Sequence, residues 1–333
     1  MASGGNGPPM VAAIDFFMLE LIAKQGGGMA FKHRIFIGLV TVLFSLCSGI
    51  LATADTIPAY ALAILPTPVF HTPEITAIFG EKSGNALRLD SCGQIRELEF
   101  IAYPGAVFRV ESTTVRDGSI IYRVNTDEYP YPTDKGYFID SRFVKTVDRK
   151  PAARLRRLPP RKTVLENLIS ARGTAYVWGG NFRTGIPQML DLYPSESGRQ
   201  RSSTTKAHVQ LQGVDCSGLL YEATGGYTPR NTGALINYGS AVHIAGMNSA
   251  GIIDKVAPLD LIVWNGHVMI ILDRQRAIES RLDCAGKNGG VQIRPLHELL
   301  SEIMRNRVPV DSYEDAAAKG RKGFVIRRWY DAH

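Results

Sequence analysis

The sequence predicts an α+β protein with its β-rich part first. Three observations carry this reading. Short β-rich segments broken by turns fill Pro66 to Asp148, a helical pattern opens at Val164, and a second helix at Cys216 precedes two strand-like runs around Asn265-Gly266. At 333 residues the chain is too long for one ordinary core, which predicts two domains.

In chain order, residues 1–28 open on the Gly/Pro-rich stretch Met1 to Pro9 and fit no export logic, so they read as an extension ahead of a native start at Met29. Residues 29–54 read as a secretory signal peptide: Met29 to Arg34 is basic, Ile35 to Ile50 is apolar, and Ala52-Thr53-Ala54 fits a small-residue cleavage site before Asp55. That apolar run is short for a bilayer span, so an exported protein of the periplasm or cell envelope is expected, with no stable membrane span after cleavage. Cys47 follows Leu46, where a lipid attachment site would want a small residue.

Residues 55–148 carry the β-rich segments Ala86 to Leu89, Ala106 to Val110, Ile120 to Val124 and Gly136 to Asp140, with Asp117-Gly118 as a hairpin turn. A basic, Pro-containing linker spans 149–162. The second domain, 163–333, opens on Thr163-Val164-Leu165-Glu166, a capping-box pattern for a helix from Val164 to Arg172 that Gly173 ends.

The chemistry concentrates at Asp215-Cys216-Ser217-Gly218 and Gly266-His267-Val268. A thiol attacks a carbonyl only as thiolate, so a catalytic cysteine needs an imidazole or a helix N-terminus beside it. Leu219 to Ala223 continues as helix until Gly225-Gly226, which puts Cys216 in the first turn, where the helix dipole favours negative charge. Asn265-Gly266 is a strong hairpin signal and places His267 at the start of the second strand.

Tyr176-x-Trp178-Gly179-Gly180, Asp215-Cys216-Ser217-Gly218, Pro229-Arg230-x-Thr232 and Gly266-His267-Val268, in that order, resemble the NlpC family of bacterial cell-wall cysteine peptidases. The resemblance covers about Pro160 to Tyr330. It implies a papain-like α+β domain in which the Cys helix packs on an antiparallel sheet carrying the His, and it puts Glu279 at the third catalytic position. Family members often carry His there. A carboxylate can still fix the tautomer and stabilise the imidazolium. Asp273 is the competing orienter, but it sits beside Arg274 in a turn. The resemblance also makes Tyr176, Asp215, Ser217 and Thr232 the substrate-binding residues. Asp215 reads independently as a helix N-cap, with its second oxygen left for a ligand ammonium. The strands of 55–148 resemble a bacterial SH3-like barrel, a frequent companion of the family.

The implied activity is hydrolysis of peptidoglycan stem peptides at the bond from γ-D-glutamate to a diamino acid. An amidase or acyltransferase using the same Cys-His pair, and a catalytically dead wall-binding module, are the alternatives. The family loop between Trp-Gly-Gly and Asp-Cys is short, whereas here Asn181 to Val214 intervenes, either as a lid or as a mobile surface loop. Lys and Arg total 38 against 31 acidic residues, a net charge of +7. No nucleic-acid motif accompanies that charge, and anionic envelope surfaces account for it. No zinc-like Cys/His spacing or phosphate-cradling loop occurs, so neither metal nor cofactor is expected. Beyond the signal, Cys92, Cys216 and Cys284 are an odd number and leave at least one free thiol; a Cys92–Cys284 disulfide between the domains is a question of geometry.

Overall fold

Two sheets organise the protein, each built around its own apolar core, in a computed structural model that describes residues 57–80, 87–195, 201–285 and 289–330. The expected extension and signal peptide lie outside the described residues. Among the described residues no helix is long and apolar enough to cross a membrane.

The first sheet contains β1 (Tyr60–Ala63), β2 (Thr67–Phe70), β3 (Leu98–Ala102), β4 (Val107–Arg116), β5 (Ser119–Asn125), β6 (Tyr137–Asp140) and β7 (Val144–Val147), in the order β3-β2-β6-β5-β4-β1-β7. Between β4 and β5, Asp117 and Gly118 both take positive φ (50° and 82°), the form that matches strand twist, so this hairpin turns where the sequence expects. β1 and β2 are two halves of one segment broken at Pro66, and they clasp opposite edges of the β4-β5-β6 meander. The sheet thus curls back on itself, yet β3 and β7 do not pair, and no closed barrel forms among the described residues. Leu87 to Leu89, expected as strand, is not one. The Asp90 carboxylate there accepts from the N–H groups of Cys92 and Gln94 and holds the chain in a turn.

A small antiparallel ribbon pairs β8 (Asn181–Phe182) with β9 (Gly213–Val214). The second large sheet runs β10 (Ser240–Val242), β16 (Gly323–Arg328), β11 (Leu261–Trp264), β12 (His267–Ile271), β13 (Arg276–Arg281) and β14 (Gly290–Pro295), all antiparallel, with β15 (Val308–Pro309) added parallel to β16. Leu261, Val263, Val268, Ile270 and Ile278 pack on one face against Leu219 and Leu220 of the Cys216–Ala223 helix. Ile262, Met269, Ile271 and Ala277 pack on the other against Leu296, Leu299, Leu300 and Ile303 of the Leu296–Met304 helix. Burial on both faces explains why these strands read as unbroken apolar runs instead of alternating ones.

The helix after the linker starts at Arg161, not Val164, and no side chain caps it. Pro160 (φ −53°, ψ 146°) makes the break from extended chain, so the helix begins directly after it and Thr163 falls inside its first turn. The expected capping box is therefore absent. The long 181–214 segment is neither a cleft lid nor a loose loop where described. Ile186, Met189, Tyr193, Val209 and Leu211 are buried in the first core, and the Tyr193 hydroxyl donates to Asp140 at 2.8 Å. The whole of Ile57 onward forms one compact unit, joined across its halves by a Cys92–Cys284 disulfide, by Arg154 and Tyr221 on the buried Glu128, and by Asn181 on the Ile101 backbone.

Candidate functional site

Cys216 opens the helix Cys216–Ala223 and is buried at its first turn. Its N-cap is Asp215, whose Oδ1 accepts from Gly218 N at 2.7 Å. Two glycine motifs meet here. A Cβ on Gly218 would lie 2.0 Å from the Gly180 carbonyl oxygen, so the helix start seats on the Trp-Gly-Gly turn only because position 218 lacks a side chain. One on Gly179 (φ 68°) would lie 2.5 Å from the Leu98 carbonyl oxygen, so the turn approaches β3 only because position 179 lacks one.

Arg230 locks the arrangement. It is 3% exposed and clamps Asp215 with two parallel bonds of 2.9 and 2.8 Å, while donating also to the Gly180 carbonyl, the Ser217 hydroxyl and Asn181 Oδ1. Burial alone would lower the guanidinium; the Asp215 carboxylate reverses that and raises it. The second Asp215 oxygen, expected to be free for an ammonium, takes both Arg230 and Gly179 N. Ser217 donates to the Arg230 carbonyl and Asp215. Asp215 and Ser217 thus line the cleft but have their bonding capacity spent on the framework. Neither Arg230 nor Asn181 was singled out from sequence for this work, although Arg230 stands inside the Pro-Arg-x-Thr motif.

Across from the helix, the Asn265-Gly266 turn delivers His267, and Gly266 N donates to Thr232 Oγ1 at 3.1 Å, tying the third motif to the fourth. His267 interacts with Cys216 and, through Nε2, meets Glu279 Oε2 at 2.7 Å. Burial would lower the imidazole, but those interactions outweigh it and push it up to about 9. Glu279 is 2% exposed; burial would raise its carboxyl, yet His267 and Arg294 hold it below the ordinary range. Arg294 reaches Glu279 at 3.1 Å and Glu302 at 2.5 Å, a backing for the orienting carboxylate that no sequence motif announced. Asp273 is spent on Arg276 and its own turn. The structure therefore brings Cys216, His267 and Glu279 together and leaves Asp273 apart.

Two cavities flank this trio, and Tyr176, Trp178 and Gly266 border both. The smaller, about 120 Å³, holds Cys216, Asp215, Ser217, Thr232 and Arg230, with Glu99 of β3 and Tyr129 of the β5–β6 connection also lining it. The larger, about 470 Å³, lies on the His267 and Glu279 side. Burial raises the Tyr176 phenol, as do the charges of Asp215 and Cys216, so it stays a neutral donor at the junction. Among the described residues no group of three or more His, Cys, Asp or Glu gathers to hold a metal ion. A thiol at a helix N-terminus, beside an imidazole that a buried carboxylate orients, is equipped for nucleophilic attack on a carbonyl. Compared with protein-family models and with curated proteins, the chain matches none.

Proposed function

We propose that the protein is a cysteine peptidase that hydrolyses peptidoglycan stem peptides at the γ-D-glutamyl–diamino acid bond, with a papain-like catalytic half and an SH3-like first half. The observation that carries the chemistry is the Cys216–His267–Glu279 alignment; the substrate class rests on the four motifs resembling the NlpC family. The Cys216 thiolate attacks the amide carbonyl carbon, and the oxyanion lies at the free N–H groups of the first helical turn. The C–N bond breaks as His267 gives its proton to the departing amine, leaving a thioester. Water, deprotonated by His267, then attacks the thioester carbonyl; the C–S bond breaks, releasing the acid and restoring the Cys216 thiolate beside protonated His267.

Cys216→Ala should abolish hydrolysis while leaving the far-UV spectrum and melting temperature near those of the wild type. Digestion of purified muropeptides read by mass spectrometry fixes activity and bond together. A wild-type protein that leaves every stem peptide intact, or transfers the acyl group to an amine, would point to the dead-module or acyltransferase alternatives.

The smaller cavity takes the acyl side of the substrate. Its open carboxylate is Glu99, supported by His71 at 2.7 Å and by the Tyr129 hydroxyl at 3.4 Å, since Asp215 is neutralised by Arg230. A stem peptide with a free N-terminal ammonium would meet Glu99. Free stems should thus be cut faster than stems still joined to muramic acid, and Glu99→Gln should shrink that ratio several-fold. Equal rates on both substrates in the wild type would remove the ammonium from the reading.

A further inference from the structure

The larger cavity is lined by His267 and shares Tyr176, Trp178 and Gly266 with the smaller one that holds Cys216, so it is placed to take the departing amine and whatever that amine carries. Its wall is basic and aromatic. Arg281, Arg294 and Arg307 face it with Trp178 and Trp264, over an apolar floor that includes Met269 and Leu299. Two of the three cations are engaged. Arg294 bridges Glu279 and Glu302, and Arg281 approaches Glu302 at 4.0 Å.

Arg307 differs. Its guanidinium lies over the Trp264 ring, 4.4 Å from the centroid, and donates to the Gly323 carbonyl at 3.3 Å; no carboxylate pairs with it among the described residues. Trp264 in turn stands 5.3 Å from the His267 ring. The three side chains make one continuous wall from the proton donor outward. Burial pulls Arg307 below the ordinary arginine range, whereas Arg230 and Arg294 are raised by their carboxylates. Three arginines against Glu279 and Glu302 leave this cavity one positive charge in excess before His267 is counted. A partly buried guanidinium stacked on an indole and short of a counter-charge is suited to a planar anion.

We propose, resting on the peptidase reading above, that this cavity selects a departing residue bearing a free carboxylate, and that Arg307, braced on Trp264, is the specificity residue that holds it. The apolar floor takes the methylene chain of such a residue.

The test is binding to the Cys216→Ala protein, measured calorimetrically, with two ligands: L-Ala-γ-D-Glu-meso-diaminopimelate, and the same peptide with both diaminopimelate carboxyls amidated. The acid form should bind about tenfold more tightly, the effect of one charge-assisted hydrogen-bonding pair. Adding Arg307→Gln should bring the ratio close to one. Because the comparison varies the ligand first, it stands even where the second substitution disturbs folding. Equal affinity for both peptides, or a tenfold ratio that survives Arg307→Gln in a folded protein, overturns the inference. Wild-type hydrolysis separates the two levels. Cleavage of both peptides with equal kcat/KM keeps the peptidase reading and removes Arg307 from it, while no cleavage together with no binding removes both.

Discussion

At the scale of single residues the site is a chain of charges, each held by the next: Glu302, Arg294, Glu279, His267, Cys216. Because His267 is raised from 6.5 to about 9, the proton it keeps favours the folded state fully below about pH 6.5, and that contribution is lost as pH rises through 9. In the proposed reaction the same proton is given to the departing amine. Hydrolysis should therefore fall on the alkaline side with an apparent pKa near 9. Replacing Glu279 removes a negative charge beside the imidazole and should move that alkaline limb to lower pH. Glu279→Gln should retain more activity than Glu279→Ala, since an amide oxygen still accepts from Nε2. An alkaline limb that stays in place in both variants, in a pH–rate profile of stem-peptide cleavage, would show that Glu279 does not act through His267. Glu279 itself is depressed by its cations, so its stabilising share is present above the ordinary carboxylate range and lost as the pH falls through its lowered pKa.

Elements matter through how closely they approach. The Cys216–Ala223 helix sits on the Gly179-Gly180 turn with no room for a methyl group at Gly218. Gly218→Ala should lower stability by at least about 2 kcal/mol, because the obstacle is a backbone carbonyl that cannot swing away. It should also lower kcat, since relief of the clash must tilt the nucleophile away from His267. Chemical denaturation and steady-state rates on the same preparation check both; a neutral Ala variant would mean the glycine is not needed for seating. The hairpin works similarly at one remove. Its two-residue turn and the Ile270↔Ile278 register put His267 and Glu279 on the same face of neighbouring strands, and a slip of one residue would turn Glu279 to the opposite face.

For the molecule as a whole, the cleft lies where two halves meet, so what joins the halves also shapes the site. The Cys92–Cys284 disulfide closes a separation of 192 residues, and it sits beside the Gln94 and Arg96 side chains that hold Trp178 at the cleft rim. Reduction should cost about 2–5 kcal/mol of stability, chiefly by freeing the unfolded chain. It should raise KM more than it lowers kcat, because Cys216, His267 and Glu279 are held by other contacts. Melting curves with and without reductant, alongside kinetics, read both effects. In the oxidised protein Cys216 is the free cysteine among the described residues and should take iodoacetamide there.

The sequence by itself determined the local pieces: the Asp117-Gly118 and Asn265-Gly266 turns, the helix that opens at Cys216 and its Gly225-Gly226 end, and the apolar strands around His267. Each is written in backbone preferences or periodicity over a few residues, so it needs no knowledge of distant partners. The positions of Cys216 at a helix start and His267 at a strand start were legible for the same reason. Their orienter Glu279 was read through the resemblance, and the structure seats it against His267. The strand expected at Leu87 to Leu89 and the capping box at Thr163 were misread because a side-chain turn at Asp90 and the break at Pro160 outweighed weak propensities. What only tertiary structure decided is where the charges go. Arg230, Arg294 and Glu99 reach the site from elements far apart in the chain; no motif marks Arg294 or Glu99, and the motif around Arg230 does not reveal its partner Asp215. The same holds for Asp215, whose neighbours advertise an N-cap with an oxygen to spare until a buried guanidinium arrives from another loop and takes it. Long-range ion pairing in a desolvated site depends on which groups folding excludes from water together, and that is a property of the packed molecule.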